Sequence, residues 1–111
     1  MGEIHEDAMP EIVTVPSSVT VRSAHQFSET MLALYLAEQD VDLDLSEMTD
    51  VDLAFVEILY SAREQWAGAG RELRLAQPAA GPVVALLERA GFLTAPADQD
   101  IEFWFHGELP Q

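Results

Sequence analysis

Five carboxylates lie close together in the middle of the chain, and their type and spacing are the best suited to chemistry. They are Asp42, Asp44, Glu47, Asp50 and Asp52. Such a cluster could bind Mg²⁺ or supply paired carboxylates for acid–base catalysis. A solvated loop with a helix cap at Asp50 or Asp52 would use the same residues, since Asp is a preferred N-cap. We expect the loop and the cap, with no catalytic residue and no metal site.

A strand–turn–helix transition follows in the same segment. The alternating run at 41–45 predicts a strand, 46–51 a turn, and an apolar helical pattern begins near Leu53. Backbone N–H groups at a helix start attract negative charge. The residues at this start are Asp52, Leu53, Ala54 and Phe55. None of them is a Ser, Thr, Lys or Gly that could bind or accept a phosphate.

Other catalytic and metal-binding motifs are missing from the sequence. His5, His25 and His106 are far apart, and no Cys is available as a thiolate ligand. There is no GxxxxGK[ST] or GxGxxG phosphate loop, and no Ser lies in a nucleophile-elbow pattern. We therefore expect a protein that is not an enzyme and has no cofactor.

Length and charge narrow the class of protein further. The chain has 111 residues, enough for one domain, with 20 acidic residues, 5 Arg and no Lys. A net charge of −15 argues against nucleic acid, which needs a basic surface. The acidity serves solubility, or steers the chain to a basic partner. The acidic first ten residues are unlike a signal peptide, and no apolar run suits membrane insertion, so we expect a cytoplasmic protein.

Strand and helix patterns alternate along the chain. Strands are predicted at 11–15, 19–21, 41–45 and 71–77, and helices at 24–38, 52–67 and 82–91. The first two strands are expected to form a hairpin. The order predicts an α/β fold, with a mixed, mainly parallel sheet of about four strands and three helices packed against it. Trp66 falls on the apolar stripe of the second helix and is expected in the core.

The two ends of the chain differ from this central pattern. We expect a flexible acidic arm at 1–10, a domain at 11–92, and a tail at 93–111 that packs on the domain or on a partner. The tail contains Phe103, Trp104 and Phe105, in a run that could add an edge strand. Three consecutive aromatic side chains cannot all face one side of a strand. At least one must contact the domain, a second copy in a homodimer, or another protein.

The ordered set of motifs resembles the STAS domain, as found in anti-sigma-factor antagonists and sulphate transporter tails. The family pattern is a strand ending in Asp-Leu-Ser or similar, a loop with an Asp, a helix, a Gly, a strand, and a last helix ending near Gly-Phe or Gly-Leu. The matching residues are Asp44-Leu45-Ser46, Asp52, the helix to Ala67, Gly68 and Gly70, "ELRLA" and "LLERAGF". The resemblance covers roughly residues 11–92 and implies a STAS-like fold.

The resemblance also implies a regulatory site. Phosphorylated STAS members begin this helix with Asp-Ser-Ser-Gly or a close variant, and phosphate on a hydroxyl there changes the partner interface. Asp52 matches the Asp, but Leu53 and Ala54 replace the hydroxyls and Phe55 replaces the Gly. The chain is therefore expected not to be phosphorylated there. The nearby hydroxyls of Ser46 and Thr49 are alternative phosphosites.

Two functions follow from the resemblance. The first is a regulatory interaction module, like an anti-sigma-factor antagonist or signalling scaffold, which binds a kinase-like ATPase or a sigma-factor or chemotaxis regulator. Its docking residues would be Asp52, Leu53, Ala54, Val56 and Glu57. The second is a cytoplasmic accessory subunit of a bacterial lipid-transport ABC system. Such subunits usually keep a Thr or Ser at the helix start, which this chain lacks.

Overall fold

The computed structural model describes residues 10–109, and their elements follow the predicted alternation. The strands are β1 (Glu11–Thr14), β2 (Ser18–Val19), β3 (Val41–Asp44), β4 (Asp50–Val51) and β5 (Leu73–Leu75). The helices are α1 (Ala24–Leu36), α2 (Leu53–Gly68), α3 (Pro82–Arg89) and α4 (Asp98–Phe105). The predicted flexible arm at 1–10 lies outside the described residues, apart from Pro10.

The strands form two parallel sheets. The larger has the order β1-β3-β5, and the smaller pairs β2 with β4. The α/β, STAS-like class is thus confirmed. The predicted hairpin of the first two strands is wrong. β1 pairs with β3 and β2 pairs with β4, so the two strands do not pair with each other. The Ser17 carbonyl accepts hydrogen bonds from the N–H groups of Thr49 and Asp50 at 2.8 and 3.0 Å. This pairing also creates β4 within the segment predicted as a turn.

The larger sheet buries one of its faces. Val41 and Leu43 in β3 are fully buried, as is Leu75 in β5. Their neighbours Asp42 and Arg74 pair in register on the other face, where the Arg74 Nε lies 3.8 Å from an Asp42 carboxylate oxygen. Side chains alternate between the faces of a strand, so the run at 41–45 places its apolar residues in the core and its acidic residues outside it.

Helix α2 is the central helix of the core. It packs against α1 and β5. Trp66 is 1% exposed, as predicted for a core residue, and its indole N–H donates to the Gln39 carbonyl at 2.9 Å. The Tyr35 ring of α1 meets Trp66 edge-on, with centroids 5.4 Å apart. These contacts fix the C-terminal half of α2 and thereby the position of its start.

The tail forms helix α4, so the predicted edge strand is wrong. Asp98 and Asp100 lie in its first turn, where negative charge favours a helix start. Phe103, Trp104 and Phe105 are all buried, and α4 packs against β5. A helix spreads three consecutive side chains over a wide arc, so all three can reach the core of the same chain. The boundary at residue 92 and a homodimer through the tail stay predictions.

Within residues 10–109, no helix combines the length and the apolar character needed to cross a membrane.

Candidate partner-binding site at the start of the second helix

Asp52 caps helix α2, as one of the two predicted cap residues. Its backbone is extended, at φ −134° and ψ −173°, and its Oδ1 accepts a hydrogen bond from the Ala54 N–H at 2.9 Å. Its Oδ2 accepts a second bond from the Val21 N–H at 3.0 Å. The carboxylate thus satisfies one free donor of the helix start and joins α2 to the turn before α1.

Two exposed aliphatic side chains adjoin this carboxylate. Leu53, the first residue of α2, is 44% exposed, and Val21 is 74% exposed. Both adjoin the two hydrogen bonds of Asp52, because Leu53 follows it in sequence and Val21 donates to it. The Asp52 cap is therefore flanked by two aliphatic side chains that are exposed to solvent.

The other predicted docking residues divide between the surface and the core. Glu57 is exposed and Ala54 is half-buried. Val56 is 1% exposed and lies in the core, so it offers no side-chain surface to a partner. Asp52, Leu53, Ala54 and Glu57 therefore form the surface part of the predicted set.

Phe55 occupies the position at which the STAS pattern has a Gly, and the core has room for its large side chain. It is fully buried, and its ring centroid lies 5.5 Å from Phe27 in α1 and 6.4 Å from Trp104 in α4. The Phe55 side chain thus fills the space between α1 and α4 in the core. The tail is thereby connected through packing to the start of α2.

The acidic cluster is divided among separate partners. An oxygen of Asp44 accepts from the Ser46 N–H at 2.9 Å, and one of Asp50 accepts from the Ser18 hydroxyl at 3.4 Å. Hydrogen bonds from the Ser46 backbone and side chain lower the pKa of Asp44, against a small opposing effect of burial. Among the described residues, no three His, Cys, Asp or Glu side chains converge as metal ligands. The arrangement is that of a loop with a helix cap.

The two alternative hydroxyls lie on the surface near this loop. Ser46 and Thr49 are both exposed. The Thr49 hydroxyl donates to the Ser17 carbonyl at 3.3 Å, and its backbone N–H donates to the same oxygen at 2.8 Å. Thr49 is therefore fixed to the β2 side of the site, whereas Ser46 bonds through its N–H to Asp44.

Val21 belongs to the site, but it is not among the docking residues predicted from the sequence, because the pattern at 19–21 predicts a strand. The pairing of β2 with β4 puts Val19 opposite Val51. The residues after these two positions consequently approach each other. Two-residue strands leave almost no periodic signal, so only the parallel pairing itself could have revealed this contact.

A groove between α1 and α2 begins beside the site. It has a volume of about 620 Å³. Its lining includes Ala54 and Glu57 from the candidate site, and continues along α2 as far as Gln65. The start of α2 and this groove therefore form one continuous surface.

A second groove, of about 740 Å³, lies between α2, β5 and α4. It contains three of the five arginines: Arg63, Arg71 and Arg74. Each lies near a carboxylate, respectively Asp100 at 3.0 Å, Glu38 at 3.4 Å and Asp42 at 3.8 Å. Its cationic groups are therefore already compensated within the chain.

Comparison with known proteins gives one match. A protein-family model described as "Mlab, STAS domain" matches residues 4–94. Neither the curated proteins nor the solved structures contain a significant match to the chain. The matched range contains β1 to α3, with the α2 start and its Asp52 cap. Because the model matches more than half of the sequence, the chain belongs to the STAS domain family.

Proposed function

We propose that this protein is a non-enzymatic regulatory interaction module, similar to an anti-sigma-factor antagonist or a signalling scaffold. STAS domains commonly mediate protein–protein interaction, and the family is generally regulatory. The observation that carries the proposal is the exposed pair of aliphatic side chains, Leu53 and Val21, around the capped helix start. Apolar surface at a family switch position suits a contact with another protein.

The docking surface in this proposal consists of Asp52, Leu53, Ala54 and Glu57, with Val21 beside them. Neither Leu53 nor Ala54 has a hydroxyl, so no phosphate can be attached at these positions. The partner would therefore bind constitutively at this surface. A kinase-like ATPase or a sigma-factor or chemotaxis regulator is the proposed class of partner, and the cytoplasm is the proposed location.

A second candidate is the cytoplasmic accessory subunit of a bacterial lipid-transport ABC system. The description of the matching family model favours it, because this description carries the name Mlab beside STAS domain. The aliphatic helix start counts against it, since those subunits usually keep a Thr or Ser there. The two candidates differ in the partner that they predict.

Affinity capture of the tagged protein from its native host tests both candidates. Mass spectrometry would identify the bound proteins and map phosphosites on the same sample. Leu53→Asp places a charge on the apolar surface, and Leu109→Asp is the matched control, because Leu109 is similarly exposed at 41% in the tail. The proposal expects a kinase-like or regulatory protein that Leu53→Asp releases and Leu109→Asp retains.

Other outcomes would change the assignment. Recovery of ABC transporter subunits would favour the accessory subunit. A partner that is retained equally by both variants would refute docking at the helix start. Stoichiometric phosphate on Ser46 or Thr49 would show a relocated switch in place of constitutive binding.

A further inference from the structure

The groove between α1 and α2 has an apolar floor. Met31 of α1 is 3% exposed and Ala62 of α2 is 2% exposed, and both line it. Half-buried Ile58 continues the floor, and Leu32 on the rim is 51% exposed. Because burial of apolar surface is favourable, an exposed leucine above buried apolar residues forms a surface that is stabilised when a second apolar surface covers it.

Small side chains create the space in this groove. Ser28 on α1 faces it together with Ala54 and Ser61 on α2. These residues are too short to fill the space between two adjacent helices, and a volume of about 620 Å³ remains. The groove can therefore accept large apolar side chains, such as Leu, Met or Phe, from a partner.

The charge on the rim has one sign. Glu29 of α1 and Glu57 of α2 line the groove, while no Arg does; the chain has no Lys. Among the described residues that line the groove, the one other ionisable side chain is His25, whose Nε2 lies 3.1 Å from a Glu29 carboxylate oxygen. The second groove differs, because it contains Arg63, Arg71 and Arg74. The charge of the first groove is complementary to a basic partner.

The shape of the groove favours a helical partner over an extended one. It is walled by two helices, whose backbone groups are bonded internally, so an added strand would find no ladder to join. From Ala54 to Gln65 the groove runs along about three turns of α2, or roughly 16 Å. A helix of about three turns would match this length and place apolar residues at i, i+4 and i+7 on the floor.

We propose that the α1–α2 groove binds a short amphipathic helix of the partner protein, with large apolar residues facing the floor and Lys or Arg flanking them. Glu29 and Glu57 receive the basic flanks, while the floor of Met31, Ile58 and Ala62 receives the apolar face. This inference rests on the proposed function, because Ala54 and Glu57 belong to both surfaces. It adds the secondary structure and the charge of the segment that the partner contributes.

A designed peptide tests this inference without knowledge of the natural partner. The probe is a helical peptide of about three turns, with Leu at i, i+4 and i+7 and Lys on both flanks. The control peptide has the same Leu positions and Glu in place of Lys. Titration of each into the isotopically labelled full chain, followed by amide chemical shifts, gives both the affinity and the location of binding.

We expect the Lys peptide to shift amides on the facing sides of α1 and α2, and the Glu peptide to bind at least about tenfold more weakly. Ser61→Trp, at an exposed position, fills the groove and is expected to weaken binding about tenfold. Glu57→Lys is expected to weaken it about threefold to tenfold at low salt, and Glu64→Lys, which lines the second groove, to leave it unchanged.

Three results would each overturn the inference: shifts that lie outside the groove, equal affinity for the two peptides, or unaltered binding to both Ser61→Trp and Glu57→Lys. If Ser61→Trp fails to fold, Glu57→Lys decides alone. Repeating the affinity capture with Ser61→Trp separates the two proposals. A partner released by Leu53→Asp but kept by Ser61→Trp supports the proposed function and refutes the groove helix. A groove that binds the Lys peptide while Leu53→Asp keeps the partner refutes the helix-start docking alone.

Discussion

The carboxylate of Asp52 accepts a hydrogen bond from the backbone N–H of Val21, at 3.0 Å and across 31 residues of sequence. With its second bond, to the Ala54 N–H, it holds the turn before α1 against the start of α2. Leu53 and Val21, both exposed, therefore lie on either side of the residue that joins these two segments. The cap is therefore both a stability element and the residue that organises the proposed docking surface.

Asp52→Ala should destabilise the protein by about 1–2 kcal/mol, because it removes an N-cap and leaves the Val21 donor without its acceptor. Asp52→Asn keeps one carbonyl acceptor and should lose less. Urea denaturation measures both. Asp50→Ala is the control, since its bond to the exposed Ser18 hydroxyl is long, at 3.4 Å, and should contribute within about 0.5 kcal/mol. Equal losses for Asp52→Ala and Asp50→Ala would contradict this account.

Trp104→Ala should cost about 3–5 kcal/mol, because it removes a 2% exposed side chain that packs on Phe55 and Phe103. Trp104→Phe should cost only about 1–2 kcal/mol. It keeps an aromatic ring and removes an indole N–H that is buried without a hydrogen-bond partner among residues 10–109. Thermal and urea unfolding measure both variants. A loss from Trp104→Ala no larger than that from Leu109→Ala would mean that α4 does not anchor the core.

Tyr60 offers a spectroscopic test of the α2–α4 contact. The pKa of its phenol is raised, and burial is the largest cause. The negative charge of Asp100 raises this pKa further, while the positive charge of Arg63 lowers it. Asp100→Asn should therefore lower the pKa of Tyr60, and Arg63→Gln should raise it. Titration of phenolate absorbance, with Tyr35→Phe to isolate the signal, measures both changes. Shifts of the same sign in the two variants would contradict the contact.

The same shift has a consequence for stability. A pKa raised in the folded state means that the unfolded chain loses the Tyr60 proton first as the pH rises. The contribution of Tyr60 to the free energy of unfolding is therefore fully present below the ordinary phenol pKa. It is lost as the pH rises toward the pKa of Tyr60 in the folded state. Tyr60→Phe should remove this part of the alkaline decrease in urea-unfolding free energy.

Asp44 makes the corresponding prediction on the acid side. Hydrogen bonds from Ser46 lower its pKa below the ordinary 3.8. The stability that it contributes is present above that value and is lost as the pH falls through the folded pKa. Asp44→Asn should flatten this part of the acid profile, measured as urea-unfolding free energy against pH. Identical acid profiles for wild type and Asp44→Asn would refute the assignment.

The long elements were predictable because local signals agree with the tertiary structure. The apolar stripe and the Asp before it predicted a helix at 52–67, and the structure has α2 at Leu53–Gly68, capped by Asp52. Trp66 was placed in the core by the same stripe. In a helix of this length, many apolar residues repeat the same helical spacing. The face that they form is the face that packs in the core, so local pattern and tertiary contacts favour the same helix.

The tail and the small sheet could not be predicted in this way. The segment 101–105 is rich in residues that favour strands. Packing of this segment against β5 and Phe55 nevertheless lets a helix bury all three aromatic side chains, Phe103, Trp104 and Phe105. The contact between Val21 and Asp52 depends on β2 and β4, which have two residues each. Such pairings are set by long-range packing, which leaves no trace in local periodicity.

Constitutive docking at Leu53 is the central claim, and the dissociation constant of the captured partner tests it most directly. Calorimetry would compare wild type, Leu53→Asp and Leu109→Asp, each with and without phosphatase treatment. Asp is well tolerated at a helix start, so Leu53→Asp should fold normally. We predict that phosphatase leaves wild-type affinity unchanged, that Leu109→Asp binds like wild type, and that Leu53→Asp binds at least about tenfold more weakly. Wild-type affinity for Leu53→Asp, or a wild-type affinity that changes with phosphatase, would contradict the claim.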